Sequence, residues 1–492
     1  MSDFEDLMAF SHITAALGQI AGRLGWDQEA MMPRGAVEQR AEEMAALEGV
    51  LHARKADAKV GEWLSSIDDA SLDGTGQAQM RLIRKDYVRS TKVPADLAAE
   101  IARVTSRSQG QWAQARADED VKAFLPVLKE VVSLKRQEGQ ALADGGEVYD
   151  AMIGDYEPEM TASELSIMFN ALRPRLVDLR SKILQSGSPK ELSGTFPEEV
   201  QMKLARKLAR CFGYDMSHGR VDKVVHPFCS GSGLDVRITT RTNENDPFNC
   251  IYSTIHEVGH AAYEQGISRD YLLTPIGQGV SMGVHESQSR IYENQLGRSR
   301  AFTSWLFDEM TRAFGAFGIS DAESFYGTVN RVHNGYIRTE ADEVQYNLHI
   351  MLRFDLERAL MDGNLQVKDL ETAWNDRFCQ DFGYRVDKPS NGCLQDVHWS
   401  LGLFGYFPTY SLGNVYAGCL YEKMRVAVSD LDTQLSRGDT RAATGWLRDN
   451  LQQHGSLRTP RETIMHASGA VPSSTPFLTY LETKFSELYR LT

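Results

Sequence analysis

The sequence predicts a mainly helical protein that contains one short pair of β-strands. Only 15 of its 492 residues are proline, and long stretches are rich in Ala, Leu, Glu and Arg, which favour helix. One segment differs: residues 226–241 are rich in glycine and contain the alternating run Val-Arg-Ile-Thr-Thr, which is typical of a strand. Since no stretch has the composition of a linker, we predict a single domain, residues 1–492.

The first half of the chain shows several helices in order. Apolar residues recur at helical spacing from Phe4 to about Ala56 and break at 31–35, which predicts two helices joined by a turn. Helical patterns continue from about Gln77 to Gly145. Thr161 and Glu164 have the spacing of a capping box, and Pro197 is placed to open a further helix.

Residues 246–266 are predicted to form one helix on which the chemistry of the protein depends. Pro247 suits a first helical position behind an Asp246 cap. Gly266 suits the left-handed residue that closes a helix. Within the helix, His256 and His260 are four residues apart, so both imidazoles project from one face.

His256-Glu257-Val-Gly-His260 is the His-Glu-x-x-His pattern of zinc peptidases. Two neutral imidazoles can hold a zinc ion, with Glu257 beside them as a general base. A catalytic zinc needs a third protein ligand, and Glu286 follows His256 by thirty residues. The alternative is a surface or core helix that happens to carry two histidines.

Residues 283–297 are predicted to form the helix that supplies the third ligand, Glu286. Residues 381–413 are loop-rich and dense in Gly, Pro, Tyr and Trp, as functional loops of enzymes commonly are. Residues 414–492 return to helical patterns, with breaks at 437–439 and 469–476.

The predicted strand pair lies just before the helix with the histidines. Its edge suits an extended peptide backbone, which would be added to the sheet as a further strand. A solvated hairpin explains the same pattern equally well.

Composition excludes some classes of function. The net charge of −14 argues against nucleic-acid binding and gives no reason to expect binding to an anionic membrane. The six cysteines have no paired spacing, and the acidic N-terminus lacks a signal peptide. No apolar run is long enough to span a bilayer. We therefore expect a cytoplasmic protein.

Five linked motifs resemble the signature set of the carboxypeptidase Taq family of metallopeptidases. The likeness runs nearly end to end, from Leu24-Gly-Trp26-Asp27 to Phe477-Leu-Thr-Tyr. Glu159 and Cys419 depart from the family pattern, and both lie outside the metal motifs. The motifs are His256–His260, His285-Glu286-Ser-Gln288, Asp235-Val-Arg237-Ile-Thr239, Ile337-Arg338-Thr-Glu-Ala341-Asp342 and Gly392-Cys-Leu-Gln395-Asp396-Val-His398-Trp399.

The resemblance implies a helical, saddle-like fold with a deep groove, similar to neurolysin and thimet oligopeptidase. It implies a carboxypeptidase that carries one zinc ion per chain, or cobalt or another divalent metal in its place. It also implies short peptide substrates with a free C-terminus, and a homodimer.

The resemblance also suggests residues that contact substrate. An arginine can grip a free carboxylate with its planar fork. Arg338 is the first choice for this contact and Arg237 the second. Tyr410, with Tyr406 as the alternative, is expected to donate to the developing oxyanion. Further residues expected near substrate are His226, His398 and His285, the last of which is alternatively a support for Glu286.

Two other functions fit the same sequence. An endo-acting oligopeptidase on this scaffold would release internal fragments instead of single C-terminal residues. A catalytically silent peptide-binding protein would need no base, so the intact Glu257 counts against it.

Overall fold

A computed structural model describes residues 2–491, and most of them lie in helices, as predicted. The chain forms two compact units, each assembled from three separate stretches. The first unit comprises residues 2–91, 189–329 and 416–472, and the second comprises residues 92–188, 330–415 and 473–491. The single domain expected from the sequence stays a prediction.

The first ten helices in chain order are α1 (Asp3–Ala30), α2 (Val37–Lys55), α3 (Ala58–Ser66), α4 (Gly74–Lys92), α5 (Ala95–Ala117), α6 (Val121–Ala143), α7 (Val148–Tyr156), α8 (Ala162–Gln185), α9 (Glu198–Cys211) and α10 (Phe248–Gly266). The next ten are α11 (Met282–Arg290), α12 (Arg300–Phe314), α13 (Ala322–Val329), α14 (Tyr346–Asp362), α15 (Leu370–Phe382), α16 (Pro408–Ala427), α17 (Leu431–Leu435), α18 (Arg441–Asn450), α19 (Pro460–Ser468) and α20 (Thr475–Tyr489).

The N-terminal helices of the first unit follow the predicted pattern. α1 and α2 are separated at residues 31–36, where the break was expected. Ser2 caps α1 in a capping box with Glu5. Leu7 of α1 is fully buried with residues of α3 and α4 in a small apolar cluster. That cluster consists of Leu7, Val60, Leu64, Met80 and Ile83.

A three-stranded sheet in the first unit contains the predicted strand pair. The strands are β1 (Val221–Lys223), β2 (Cys229–Ser232) and β3 (Asp235–Thr240), in the order β1-β3-β2. β3 is antiparallel to β2 and parallel to β1, so Ile238 lies opposite both Cys229 and Val221. β1 is short and lacks alternation, which is why the sequence did not reveal it.

Helix α10 packs against the sheet and against α11. Thr240 at the end of β3 donates from its hydroxyl to the carbonyl of Cys250, at 3.2 Å. Asp246 accepts from the backbone N–H of Phe248 at 3.0 Å, but Pro247 and not Asp246 occupies the capping position, so the helix begins one residue later than expected. The prediction that Gly266 closes the helix in a left-handed conformation was wrong. This residue keeps a negative φ, and Ile267 ends the helix in an extended conformation.

The helix predicted at 283–297 consists of two parts. α11 is an α-helix that ends at Arg290, and residues Ile291–Gly297 form one π-helical stretch. π-helical turns are uncommon and frequently occur at functional sites. Nearly all of this stretch is buried.

A late segment of the chain completes the first unit behind these helices. Gln452 donates from its side-chain amide to Gln288 of α11 at 3.0 Å. The backbone N–H of Ser456 donates to the carbonyl of Ile276 at 2.9 Å. Residues 452–456 therefore support the segment that leads into α11.

The second unit contains a fully buried carboxyl group. Glu357 of α14 accepts from Tyr149 Oη at 2.7 Å, from Trp399 Nε1 at 2.7 Å and from the backbone N–H of Gly405 at 3.0 Å. These contacts fix the loop between α15 and α16 against α7 and α14. The loop predicted for 381–413 is confirmed for residues 383–407, where the one helical element is a short 3₁₀ turn, but α15 extends to Phe382 and α16 already begins at Pro408.

Among residues 2–491, none of the helices combines the length and the apolar character that crossing a membrane would require.

Candidate active site

His256, His260 and Glu286 form a group that can hold one metal ion. Each offers one ligand atom, and these atoms all lie within 4.8 Å of one another. Glu286 Oε2 is 3.6 Å from His256 Nε2 and 3.3 Å from His260 Nε2. The three residues predicted as ligands are thus brought together on the facing sides of α10 and α11.

The donor set suits a divalent cation. Two imidazole nitrogens and one carboxylate oxygen are the ligand types that catalytic metal sites of peptidases use. Burial opposes ionisation of Glu286, but Arg290 and both histidines hold its pKa well below the usual value. Arg290 Nε lies 2.6 Å from Glu286 Oε1, so Oε2 is the oxygen left to face the histidines. Burial also lowers the pKa of His260 to about 3, which keeps that imidazole neutral as a ligand must be.

Glu293 orients His256, a role that the sequence did not suggest. Its Oε2 lies 2.9 Å from His256 Nδ1, and its Oε1 accepts from Arg298 at 3.0 Å. Although burial acts in the opposite direction, the bond to His256 and the charge of Arg298 lower the pKa of Glu293 to about 2. Glu293 belongs to the π-helical stretch, so its direction depends on that local geometry.

Glu257, the predicted general base, is buried on α10 beside the two histidines and is only 6% exposed. Burial raises the pKa of its carboxyl to about 7. A carboxyl with such a pKa can both accept and release a proton near neutral pH.

His285 contacts His260, whereas the sequence suggested contact with substrate or with Glu286. The two Nδ1 atoms are 2.6 Å apart. His285 Nε2 lies 2.9 Å from Oε1 of Glu264, a residue that we did not single out from the sequence. Glu264 follows His260 by four residues on α10, and this spacing is the one signal that points to it.

Arg237 and His226 lie near the sheet of the first unit. Arg237 donates to both oxygens of Asp235, at 2.8 and 2.9 Å, and its guanidinium lies 4.3 Å from the ring centroid of Trp26. His226 is exposed in the connection between β1 and β2. The substrate contacts proposed for both residues stay predictions.

Arg338 lies in the second unit within a buried cluster of charges. Its Nε and Nη2 lie 3.1 and 3.0 Å from Asp396 Oδ1, and its Nη1 donates to Tyr346 Oη at 3.2 Å. Asp396 Oδ2 accepts from Arg353 Nε at 2.7 Å. One carboxylate therefore serves two guanidiniums, which leaves this trio with a net positive charge.

Aromatic residues line the same cluster. The guanidinium of Arg338 lies 4.8 Å from the ring centroid of Tyr410. Tyr410 Oη is 3.3 Å from His398 Nε2, and the Tyr406 ring packs 5.3 Å from that of Tyr410. Burial lowers the pKa of His398 to about 3, so this side chain is neutral. Four of the residues predicted to contact substrate thus lie together in the second unit.

The fold and the metal group define a helical metallopeptidase with two histidines and one glutamate as candidate ligands. The family model "Carboxypeptidase Taq (M32) metallopeptidase" matches residues 6–485, and the chain belongs to this family.

Three relatives illustrate the similarity. Thermostable carboxypeptidase 1 of Thermus thermophilus is 40% identical over 99% of both chains. The crystal structure of the M32 carboxypeptidase from Deinococcus radiodurans R1 is 38% identical, with a TM-score of 0.95 over 100% of both chains. Metallocarboxypeptidase 1 of Trypanosoma cruzi is 31% identical and has a TM-score of 0.96 over 98% of this chain and 99% of that one.

These comparisons confirm the predicted family, the mainly helical fold class and the enzyme class of metallocarboxypeptidase. Peptides are therefore the class of substrate, and a divalent metal is the cofactor that the family implies. The alternatives, an endo-acting oligopeptidase and a silent binding protein, receive no support from the names of the relatives.

Proposed function

We propose that this chain is a zinc-dependent carboxypeptidase that releases single residues from the free C-terminus of short peptides. The observation that carries the proposal is the convergence of His256, His260 and Glu286, whose ligand atoms lie within 4.8 Å of one another. Glu257 lies beside them and supplies the base that hydrolysis needs.

Zinc is favoured by the ligand types, because two imidazoles and one carboxylate with an open position are typical of catalytic zinc. Cobalt fits the same ligands, since selectivity among such ions depends on geometry and availability. Held by His256, His260 and Glu286, such an ion would act as a Lewis acid, which lowers the pKa of water and polarises a carbonyl oxygen.

Glu257 acts on the proton of the attacking water. Its carboxylate oxygen takes that proton as the water approaches the scissile carbonyl carbon, and later delivers it to the nitrogen of the leaving residue. A pKa raised to about 7 by burial suits both steps at neutral pH.

Arg338 is the proposed partner of the substrate's C-terminal carboxylate. A planar guanidinium can donate two parallel hydrogen bonds to a carboxylate. The excess positive charge of Arg338 and Arg353 over Asp396 supports this role, because an arriving carboxylate would balance it. Arg237 stays the second candidate, and its Nε and Nη2 both donate to Asp235.

Other parts of the proposal depend on the resemblance of the motifs. Tyr410, or Tyr406 in its place, donates to the oxyanion, and His226 and His398 face the substrate. We further propose a cytoplasmic homodimer. Sedimentation velocity of the purified chain would test the dimer.

A time course of peptide digestion tests the main proposal. The chain is stripped with a chelator, reconstituted with one equivalent of Zn²⁺, and given one peptide as a free acid and as a C-terminal amide. We expect mass spectra to show stepwise loss of single C-terminal residues from the free acid. The stripped chain should be inactive, and the amide should be cleaved far more slowly.

The products also identify the rival function. Internal fragments from both peptides would indicate an endo-acting oligopeptidase. Equal rates of cleavage by the stripped and the reconstituted chain would contradict the assignment of a catalytic metal site.

A further inference from the structure

The two ligand histidines are supported differently. His256 has a carboxylate directly at Nδ1, namely Glu293 at 2.9 Å. His260 instead has a second histidine there, with His285 Nδ1 at 2.6 Å. The carboxylate comes one step later, as His285 Nε2 lies 2.9 Å from Glu264 Oε1. Glu264, His285 and His260 thus form a continuous chain of hydrogen bonds that leads to the metal group.

The protons of this chain can be assigned from the chemistry of the ligand. If His260 binds a metal through Nε2, that nitrogen carries no proton and Nδ1 carries one. His260 Nδ1 then donates to His285 Nδ1, which must be the bare nitrogen of its ring. His285 Nε2 consequently carries the proton and donates to Glu264. The reverse order would place a proton on His260 Nε2 and remove the lone pair that the metal needs.

Glu264 is buried and is held in this position by a second hydrogen bond. It is 7% exposed, and its Oε1 also accepts from the backbone N–H of Gly279 at 3.0 Å. Its Oε2 is buried, and residues 2–491 provide no hydrogen-bond partner for it. Burying such an oxygen is costly, which favours a functional reason for a carboxylate at this position.

Gly279 allows the chain of hydrogen bonds to close. A Cβ atom at this residue would lie 2.6 Å from His285 Cδ2 and 3.2 Å from Glu264 Oε1. Any larger residue would therefore displace His285 or Glu264. The loop before α11 is shaped around their contact.

We propose that Glu264 and His285 are positioning residues that fix the tautomer and the ring orientation of His260. Glu293 has the same role at His256. It contacts that histidine directly, whereas Glu264 contacts His260 through His285. The proposal rests on the metal site of the proposed function, and it gives His285 a role other than contact with substrate. Partners of this kind commonly change metal affinity by about 10–100-fold when they are removed.

The test compares metal binding by the full-length chain and three variants. Glu264→Leu removes the acceptor with little change in volume, and Glu264→Gln keeps an acceptor oxygen without the charge. Gln265→Leu is the matched control, because it makes the same kind of change at the other neighbour of Glu264 on α10, whose side chain bonds to Asp215 and His218 and not to the hydrogen-bonded chain. Zn²⁺ affinity is measured by competition with a chromophoric chelator, and the Co²⁺ forms are compared by visible absorption.

We expect Glu264→Leu to bind Zn²⁺ about 10–100-fold more weakly and to alter the Co²⁺ spectrum. Glu264→Gln should recover part of the affinity, and Gln265→Leu should match the wild type. With saturating Zn²⁺, the Leu variant should regain much of its turnover without a raised KM for peptide. A substrate contact through His285 predicts the opposite, a raised KM with unchanged metal affinity.

Four results would separate the possible failures. If the wild type binds no Zn²⁺ at one ion per chain, the proposed function fails. If the wild type binds Zn²⁺ and Glu264→Leu binds it equally well, only the positioning role is overturned, and an equal loss in Gln265→Leu overturns it too. Should Glu264→Leu not fold, an unchanged affinity in Glu264→Gln has the same meaning.

Discussion

Glu257 differs from the other carboxylates around the metal group in its pKa. Burial raises the pKa of Glu257 to about 7, whereas Arg290 and the histidines keep Glu286 ionised despite its burial. Groups whose environments separate their pKa values in this way commonly have separate roles. Here the ionised carboxylate is the proposed ligand, and the titratable one is the proposed base.

Replacing Glu257 with Gln should remove turnover and retain the metal. The amide has the same shape but cannot accept the proton of water, so we expect kcat to fall by about 10²–10⁴-fold or more. Metal content per chain, measured by elemental analysis, should stay at the wild-type value. Substantial peptidase activity in the folded variant would remove Glu257 from this role.

Arg338→Ala should abolish the preference for a free C-terminus. Truncating one partner of a buried charge pair typically costs about 2–5 kcal/mol, so the ratio of kcat/KM for the free acid to that for the amide should fall at least tenfold. The ratio itself corrects for any general loss of stability. Arg237→Ala is the matched comparison. If the ratio falls in Arg237→Ala and not in Arg338→Ala, Arg237 and not Arg338 binds the C-terminal carboxylate.

The pairing of His256 and His260 was predictable because its geometry is local. Residues four apart share a helix face in any helix, so spacing alone makes the two histidines candidate ligands. The supporting roles of Glu293 and Glu264 were not predictable, because tertiary packing determines which carboxylate lies near a ligand histidine. Glu293 depends on the π-helical stretch, and Glu264 reaches His260 through a histidine on another helix.

At the scale of elements, the approach of α10 to α11 determines the metal group. A Cβ atom at Gly259 would lie 2.5 Å from the carbonyl oxygen of Gln288 and 2.5 Å from Ser289 Cα. Both are backbone atoms, which cannot turn aside as the end of a side chain can. The glycine between the two histidines therefore lets Glu286 come within reach of them.

Gly259→Ala should separate the two helices and weaken metal binding. Overpacking of this kind costs about 1–3 kcal/mol of the free energy of unfolding, and the ligand atoms would move apart as well. Calorimetry with and without Zn²⁺ measures both effects. Gly445→Ala in α18 is the control, because, apart from its chain neighbours and the backbone of its own helix, no atom of the described chain lies within 4 Å of the added methyl group. A normal Zn²⁺ affinity in Gly259→Ala would contradict the argument.

The first residues of helices were predictable where the sequence contains a capping box or a proline at the helix start. Thr161 and Glu164 form the expected capping box at α8, and Pro197 directly precedes α9. The π-helical stretch was not predictable, since over seven residues its periodicity barely differs from that of an α-helix. β1 was missed because three residues are too few to show alternation.

At the scale of the whole molecule, stability should depend on the protonation of Glu357. Burial raises its pKa from 4.5 to about 7. Because the folded-state pKa is the higher one, the stabilisation from the neutral carboxyl is complete below pH 4.5. It is lost as the pH rises through 7.

Glu357→Gln should flatten this dependence. We expect the difference in free energy of unfolding between wild type and variant to fall by about 1–3 kcal/mol from pH 5 to pH 8. The variant should be less stable at pH 5, since an amide cannot accept from all three donors. Urea unfolding at several pH values gives the measurement, and Glu422→Gln, a change of an exposed glutamate, is the control. A constant difference across this range would contradict the assignment.

The division into two units was not predictable from composition. Each unit combines stretches that are separated by long intervals of sequence, and no linker marks the changes. Local patterns reveal helices and their faces, but they do not reveal which distant stretches share a core.

The assembly of the first unit has a consequence for biosynthesis. During translation, His256, His260 and Glu286 leave the ribosome well before Gln452 and Ser456, whose contacts support the segment that enters α11. A nascent chain that already contains the three candidate ligands therefore still lacks the contacts made by Gln452 and Ser456. We therefore expect the ion to be captured after synthesis is nearly complete, and chains that terminate before residue 416 to emerge without a stable binding pocket.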